Sequence, residues 1–77
     1  MDGILVYDDV QQRFDVAAQN DVSYGGLHCG QLLTIQVQKG KWVDTRIEKD
    51  NDDEIYGWYF VGVGRAAPLI GHSVKVR

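Results

Sequence analysis

The segment LHCGQLLTIQVQKGKWVDTRIE, residues 27–48, decides the fold of this chain. Residues that favour a protein interior occupy every second position on both sides of Lys39-Gly40. This two-residue period is typical of strands that bury one face, and a glycine can adopt the positive φ that a tight turn needs. The segment therefore predicts a β-hairpin whose inward residues are Leu33, Ile35, Val37, Val43, Thr45 and Ile47.

Shorter strand patterns lie on both sides of this hairpin. Residues 4–7 and 13–18 are rich in β-formers and are separated by a polar turn, so they predict a first hairpin. The remaining predicted elements are a polar, glycine-bearing loop at 19–26, a hydrophilic connection at 49–54, a strand at 55–63, an irregular link at 65–71 with one turn of 3₁₀ helix near Pro68, and a last strand at 73–77.

Together these patterns predict an all-β fold. Seventy-seven residues make one domain, spanning 1–77, which would bury only about 60% of the surface of its unfolded chain. No segment of ten or more residues shows a sustained helical period. We therefore expect a small SH3-like barrel of five to six short antiparallel strands, because a last strand preceded by a 3₁₀ turn is also the plan of that barrel.

Two registers are open for the strand at 55–63, because a slip of one residue exchanges its two faces. One register turns Tyr59 inward. The other turns Trp58 and Phe60 inward together with Tyr56. We favour the second register because it buries the larger apolar area, which stabilises by about 25 cal/mol per Å².

Composition restricts the compartment and the classes of partner. Eleven acidic and eight basic residues give a formal net charge of −3, which disfavours a protein that binds nucleic acid mainly through its phosphates. The single Cys29 cannot form an intramolecular disulfide. The sequence contains no apolar signal region after Met1 and no run of about 20 apolar residues. We expect a cytoplasmic protein without a membrane segment.

Candidate catalytic and metal-binding residues are few. One cysteine and two histidines, Cys29, His28 and His72, do not have the ligand spacing of a zinc site. We therefore predict no metal, no cofactor and no enzyme activity, and interpret Cys29 as a small packed residue. The acidic residues at 50–54 lack the glycine and glutamate positions of a calcium loop, and indicate a solvated connection.

The outward face of the second hairpin strand is the better functional candidate. If Val43 and Thr45 point inward, Trp42 and Arg46 point outward, and Trp with Arg is the composition of interaction hot spots. We therefore predict a protein-binding patch formed by Trp42 and Arg46. The competing interpretation is that Trp42 packs under the first hairpin or the loop at 19–26, while Asp44, Arg46 and Glu48 form a screened ionic ladder.

Four segments also resemble a known family. They are Leu27-His28-Cys29-Gly30, Gly40-Lys41-Trp42-Val43, Thr45-Arg46-Ile47-Glu48 and Trp58-Tyr59-Phe60-Val61-Gly62, which give the pattern LHCG…GKW-x-x-TRIE…WY-x-VG. This pattern resembles a family of small bacterial proteins of unknown function, found in Gram-positive bacteria and their mobile elements. Two features depart from it: Asp44 stands where proline is common, and residues 55–57 lengthen the approach to Trp58. The resemblance implies a cytoplasmic accessory protein and transfers no catalytic residue.

Two other interpretations stay open beside a non-enzymatic module that binds a protein or peptide. One is a nucleic-acid-associated module of a mobile element that uses Arg65, Lys75 and Arg77 with exposed aromatic side chains. The other is a homodimer in which an edge strand pairs across a two-fold axis.

Overall fold

Seven strands and one 3₁₀ turn form the part of the chain described by a computed structural model, residues 1–20 and 22–77. Asp21, within the predicted loop at 19–26, lies outside the described residues. The all-β prediction is confirmed, but the described residues form seven strands rather than the predicted five to six, because Gly64–Arg65 pairs as an additional short strand. The elements are β1 (Asp2–Asp8), β2 (Arg13–Ala17), β3 (Leu32–Gln38), β4 (Lys41–Lys49), β5 (Trp58–Phe60), β6 (Gly64–Arg65), the 3₁₀ turn Ala67–Leu69 and β7 (Ser73–Val76).

The strands form one antiparallel sheet with the order β2-β1-β7-β3-β4-β5-β6. Strand β4 joins the two halves of this sheet, since it pairs with β3 as far as Arg46 and with β5 from Ile47 onward. The sheet is curved, because Phe14 on β2 and Trp58 on β5 meet edge to face with ring centroids 6.2 Å apart. Among the described residues no ladder joins β2 to β6, so backbone pairing does not close the sheet.

Both predicted hairpins are present. Strand β1 pairs with β2, and β3 pairs with β4 across a turn in which Gly40 has a φ of 76°. The register sets Leu33 opposite Thr45. Of the six residues predicted to face inward, Leu33, Ile35, Thr45 and Ile47 are buried, and Val37 and Val43 are half-buried.

The core lies inside the curve of the sheet and takes side chains from almost every element. Burying one large aliphatic or aromatic side chain contributes about 1.5–3 kcal/mol. The buried apolar residues are Leu5, Phe14, Val16, Leu27, Leu33, Ile35, Ile47, Trp58, Phe60, Ala66 and Val74.

The predicted strand at 55–63 is much shorter in the structure. A turn replaces its first part, because one oxygen of the Asp53 carboxylate accepts the backbone N–H groups of Ile55 and Tyr56 at 3.0 and 2.7 Å. Gly57 then lies so close to the backbone of Asp53 that an added Cβ would be 2.5 Å from the Asp53 carbonyl oxygen. The chain enters β5 only at Trp58, so the pattern overestimated the strand by several residues at each end.

The register of β5 is a mixed outcome for the prediction. Ile47 pairs with Phe60 rather than with Ile55 or Tyr56, so the structure has neither predicted register. Trp58 and Phe60 are buried as predicted. Tyr56, predicted to accompany them, is 62% exposed because it lies in the preceding turn.

Asp15 is a buried acid on β2, between the buried residues Phe14 and Val16. It is only 2% exposed. Its Oδ1 atom accepts the N–H groups of Val16, Gly25 and Gly26 at 2.8, 3.1 and 2.9 Å. These bonds fix the loop against the outer edge of β2, the edge that does not pair with β1, where the N–H of Leu27 also donates to the carbonyl of Phe14.

In the residues that the structure describes, no helix is both long enough and apolar enough to cross a membrane.

Candidate binding surface

Trp42 lies on the outer, convex face of the sheet, opposite the core. Inward and outward residues alternate along β4, and Trp42 falls between the exposed Lys41 and the half-buried Val43. The indole is 40% exposed. The Lys75 ammonium lies 4.8 Å from the centre of the indole ring, a cation–π distance, and reaches it across β3 from β7.

A groove of about 940 Å³ extends from Trp42 across the outer face. It exists because β7 lies between β1 and β3, which sets the outer side chains of three strands beside the end of β2. Ile4 contributes apolar surface to it and is 45% exposed. The residues that form its floor and walls include Asp2, Ile4, Ala17, Trp42, Ser73 and Lys75.

Arg46 shares the outer face of β4 with Trp42 but is not part of the groove. Four residues of strand separate the two positions, about 13 Å at 3.3–3.4 Å per residue. The Arg46 side chain is 51% exposed, and its Nε donates to Glu48 at 3.0 Å. The structure therefore places the two predicted site residues on one face without bringing them together.

The structure agrees only in part with the competing interpretation, in which Trp42 packs under the first hairpin or the loop at 19–26. The first hairpin does approach it, since residues 17–20 line the opposite side of the groove, but they leave the indole 40% exposed. The predicted ionic ladder contains the pair of Arg46 with Glu48. Asp44 instead accepts from the Thr34 hydroxyl at 2.7 Å and lies 3.8 Å from Arg77.

The three cations of the nucleic-acid interpretation are separated in the fold. Arg65 lies on β6, at one end of the strand order, whereas Lys75 lies on β7 and Arg77 directly follows it. Arg65 donates to both carboxylate oxygens of Asp50, at 2.8 and 2.6 Å. This contact lowers the pKa of Asp50 and raises that of Arg65. The three side chains do not make one basic patch.

The acidic connection after β4 is exposed but internally bonded. Asp50 is held by Arg65, and Asp53 accepts backbone N–H groups of the following turn. Nearby, the Tyr7 hydroxyl is buried and has no hydrogen-bond partner in the described part of the chain. Burial raises the pKa of Tyr7, and the carboxylate of Glu54 raises it further. The predicted solvated connection therefore also carries a bonded turn.

Cys29 is exposed, and the prediction that it packs as a small buried residue is wrong. It lies in a turn with Gly30, which has a φ of 86°, so no inward strand face is available to it. The neighbouring His28 Nδ1 accepts from Arg13 at 2.7 Å. His72 donates from Nδ1 to the carbonyl of Gln36 at 2.8 Å. Within residues 1–20 and 22–77, His, Cys, Asp and Glu side chains form no group of three suited to a metal ion.

A family model described as "Domain of unknown function (DUF5348)" matches residues 3–77. The chain belongs to this family. The match covers Trp42, Arg46 and every groove residue except Asp2, and it confirms the resemblance to a small domain family of unknown function.

A solved structure supports the fold of this DUF5348 chain. It is the crystal structure of a protein from Ruminococcus gnavus, with 38% sequence identity and a TM-score of 0.78. The similarity covers 99% of this chain and 100% of the other. No curated protein matches the sequence. Neither description names a ligand.

Proposed function

We propose that this DUF5348 chain is a non-enzymatic module that binds an extended segment of a partner protein, or a peptide, in the groove beside Trp42. The observation that carries the proposal is the half-exposed indole at the wall of a groove of about 940 Å³. Large aromatic side chains at such positions supply much of the energy of protein–protein contacts. The fold does not require this exposure, because the core is filled from the opposite face.

The chemistry of the groove suits a peptide with both apolar and polar groups. Ile4 and Trp42 offer apolar surface, while Asp2 and Lys75 carry opposite charges along the same groove. A few polar groups around an apolar surface fix the orientation of a ligand. We therefore expect a ligand with at least one apolar anchor and one charged or amide group.

Arg46 has a secondary role in this proposal. It is exposed on the same face, about 13 Å along β4 from the indole. A ligand of five or more extended residues would span that distance. Because Glu48 already accepts from its guanidinium, we expect Arg46 to contribute less to binding than Trp42.

Selection from a library of random peptides displayed on phage tests the proposal. The immobilised full chain should enrich peptides whose binding falls at least tenfold in a Trp42→Ala variant and less than threefold in Arg46→Ala. Tyr56→Ala is the matched control, since Tyr56 is an aromatic residue that is 62% exposed outside the groove. Near-ultraviolet circular dichroism would verify that each variant keeps its packed core.

Two results would contradict this function. One is the absence of any enriched peptide. The other is enrichment of peptides that bind Trp42→Ala as tightly as the wild type, which would place the binding surface elsewhere. Titration with labelled oligonucleotides at two salt concentrations tests the nucleic-acid alternative, for which steeply salt-dependent binding is the expected signature. That alternative has less support, because Arg65 is bonded to Asp50 and its strand β6 is four places from β7, the strand of Lys75, in the sheet order.

The finer architecture and the biological setting belong to the same proposal. We assign the curved sheet to the small SH3-like barrels, supported by the change of partner along β4 and by the 3₁₀ turn before β7. We also propose a cytoplasmic accessory protein of Gram-positive bacteria and their mobile elements. An exposed lone cysteine fits a reducing compartment. Genes for DUF5348 chains should then lie beside plasmid or phage functions.

A further inference from the structure

The first half of β4 has an open edge. The N–H and C=O groups of Ile47 bond to Gln31 and Gly30 on the β3 side, whereas the carbonyl of Arg46 accepts from Val61 on the opposite side. The N–H and C=O groups of successive residues along a strand point to alternate edges. The N–H and C=O groups of Trp42 and Asp44 therefore point away from β3, like those of Arg46. Both residues lie opposite residues of β3 in the register, but in the described part of the chain no backbone hydrogen bond reaches their N–H and C=O groups from the side away from β3.

This open edge is five residues long, from Lys41 to Thr45. The hairpin turn at Lys39-Gly40 limits it at one end. At the other end the Thr45 hydroxyl donates to the carbonyl of Val61, where the chain leaves β5. An added strand therefore has room opposite these five residues only.

We propose that the open edge pairs with the same edge of a second copy of this chain, in an antiparallel register centred on Val43. In that register Trp42 of one copy lies opposite Asp44 of the other, and each pair exchanges both of its backbone hydrogen bonds, which gives four bonds in total. Lys41 of one copy lies opposite Thr45 of the other, so the pairing uses all five residues of the open edge in each copy and extends no further.

The side chains of the edge complement one another in this register. Val43 is half-buried and meets its own counterpart at the two-fold axis, where side chains come closest. The Asp44 side chain is 70% exposed and lies beside the partner indole that carries the Lys75 ammonium. Lys41 faces a threonine rather than another lysine. No like charges meet across the axis.

The symmetry has a structural consequence. A two-fold axis between antiparallel strands is perpendicular to the sheet, so the outer faces of both copies turn to the same side. The dimer would present two Trp42 grooves side by side on one continuous sheet. An interface made by five-residue edges is small, so we expect a weak dimer that depends on protein concentration.

Sedimentation equilibrium of the full chain from about 10 μM to 1 mM tests the proposal, with concentrations chosen to bracket weak association. The test variant is Asp44→Pro, which removes an N–H that β3 does not use, at an edge position where proline is tolerated. The matched control is Asp44→Ala, which loses the same carboxylate contacts to Thr34 and Arg77 but keeps the N–H. We expect the wild type to dimerise, Asp44→Pro to weaken dimerisation at least tenfold, and Asp44→Ala to weaken it less than fivefold.

Amide exchange of the wild type gives an independent readout should the proline variant fail to fold. As concentration rises, the amides of Trp42 and Asp44 should become protected, while those of Val43 and Thr45, which face β3, should not change. A wild type that stays monomeric up to 1 mM overturns the proposal. So does a dimer that survives Asp44→Pro, or one that leaves the Trp42 and Asp44 amides unprotected.

Discussion

The two faces of β4 have different surroundings. Toward the core, Thr45 and Ile47 are 8% and 0% exposed and hold the two halves of the sheet together. Toward solvent, Trp42 and Arg46 lie outside the packing, and Trp42 borders a groove. Because the faces alternate residue by residue, the core contacts and the proposed binding contacts of this strand involve different side chains. Substitutions on the two faces should therefore affect different measurements.

The largest expected effect comes from the core side of the sheet, at Phe60, which lies on β5 opposite Ile47 of β4. Its side chain is fully buried in the core. Truncation in Phe60→Ala should lower the free energy of unfolding by about 3–5 kcal/mol, through lost burial and the cavity left behind. The total free energy of unfolding of a protein domain is only about 5–15 kcal/mol. Urea unfolding followed by circular dichroism measures the change, and a loss below about 1 kcal/mol would show that the core is not where we place it.

The second largest loss of stability is expected on substitution of the buried Asp15. Asp15→Ala leaves three backbone N–H groups without their acceptor, which should cost about 1–3 kcal/mol. Asp15→Asn is the control, since its amide oxygen can still accept these bonds. The same unfolding measurement separates the two variants. If alanine and asparagine destabilised equally, the carboxylate geometry would not be what fixes the loop.

Trp42→Ala tests the outer face directly. Because the indole is already 40% exposed and packs beside rather than within the core, its loss should change the free energy of unfolding by about 1 kcal/mol or less. The same variant should lose peptide binding at least tenfold. A loss of stability comparable to that of Phe60→Ala would break the division between the two faces.

Arg65→Ala should have the smallest effect, and only in a defined pH range. The guanidinium lowers the pKa of Asp50 below its ordinary value of 3.8. A carboxylate with a lowered pKa in the folded state stabilises above its unfolded pKa, and this contribution is lost as pH falls through the folded value. The difference in melting temperature between wild type and Arg65→Ala should therefore be small at pH 7 and shrink below about pH 4. A difference that grows in acid would contradict the assigned pair.

The sequence predicts the parts of this fold that depend on local pattern. The hairpin of β3 and β4, its inward residues and the outward position of Trp42 all follow from a two-residue period around Lys39-Gly40. The 3₁₀ turn near Pro68 follows from the only proline. In each case neighbouring residues alone determine the outcome.

The errors arise where side-chain hydrogen bonds or distant strands decide. The Asp53 carboxylate accepts a backbone N–H of the following residues and forms an Asx-type turn, so β5 begins later than predicted. Because Asp53 lies within a run of acidic residues, the sequence pattern did not single it out as the residue that forms this turn. Asp15 is polar yet buried because a loop ten residues later supplies its donors. The groove depends on the position of β7 between β1 and β3. Local sequence pattern therefore could not predict that Ile4 and Lys75 line the same groove as Trp42.

The most direct test of the central claim is to map a selected peptide onto the ¹⁵N-labelled chain by nuclear magnetic resonance. We predict that the largest amide shifts on titration fall on the outer face, at Ile4, Ala17, Trp42, Ser73 and Lys75. The amides of the acidic connection at 50–57 should stay unchanged. Shifts concentrated in that connection, with the outer-face residues unperturbed, would contradict the account.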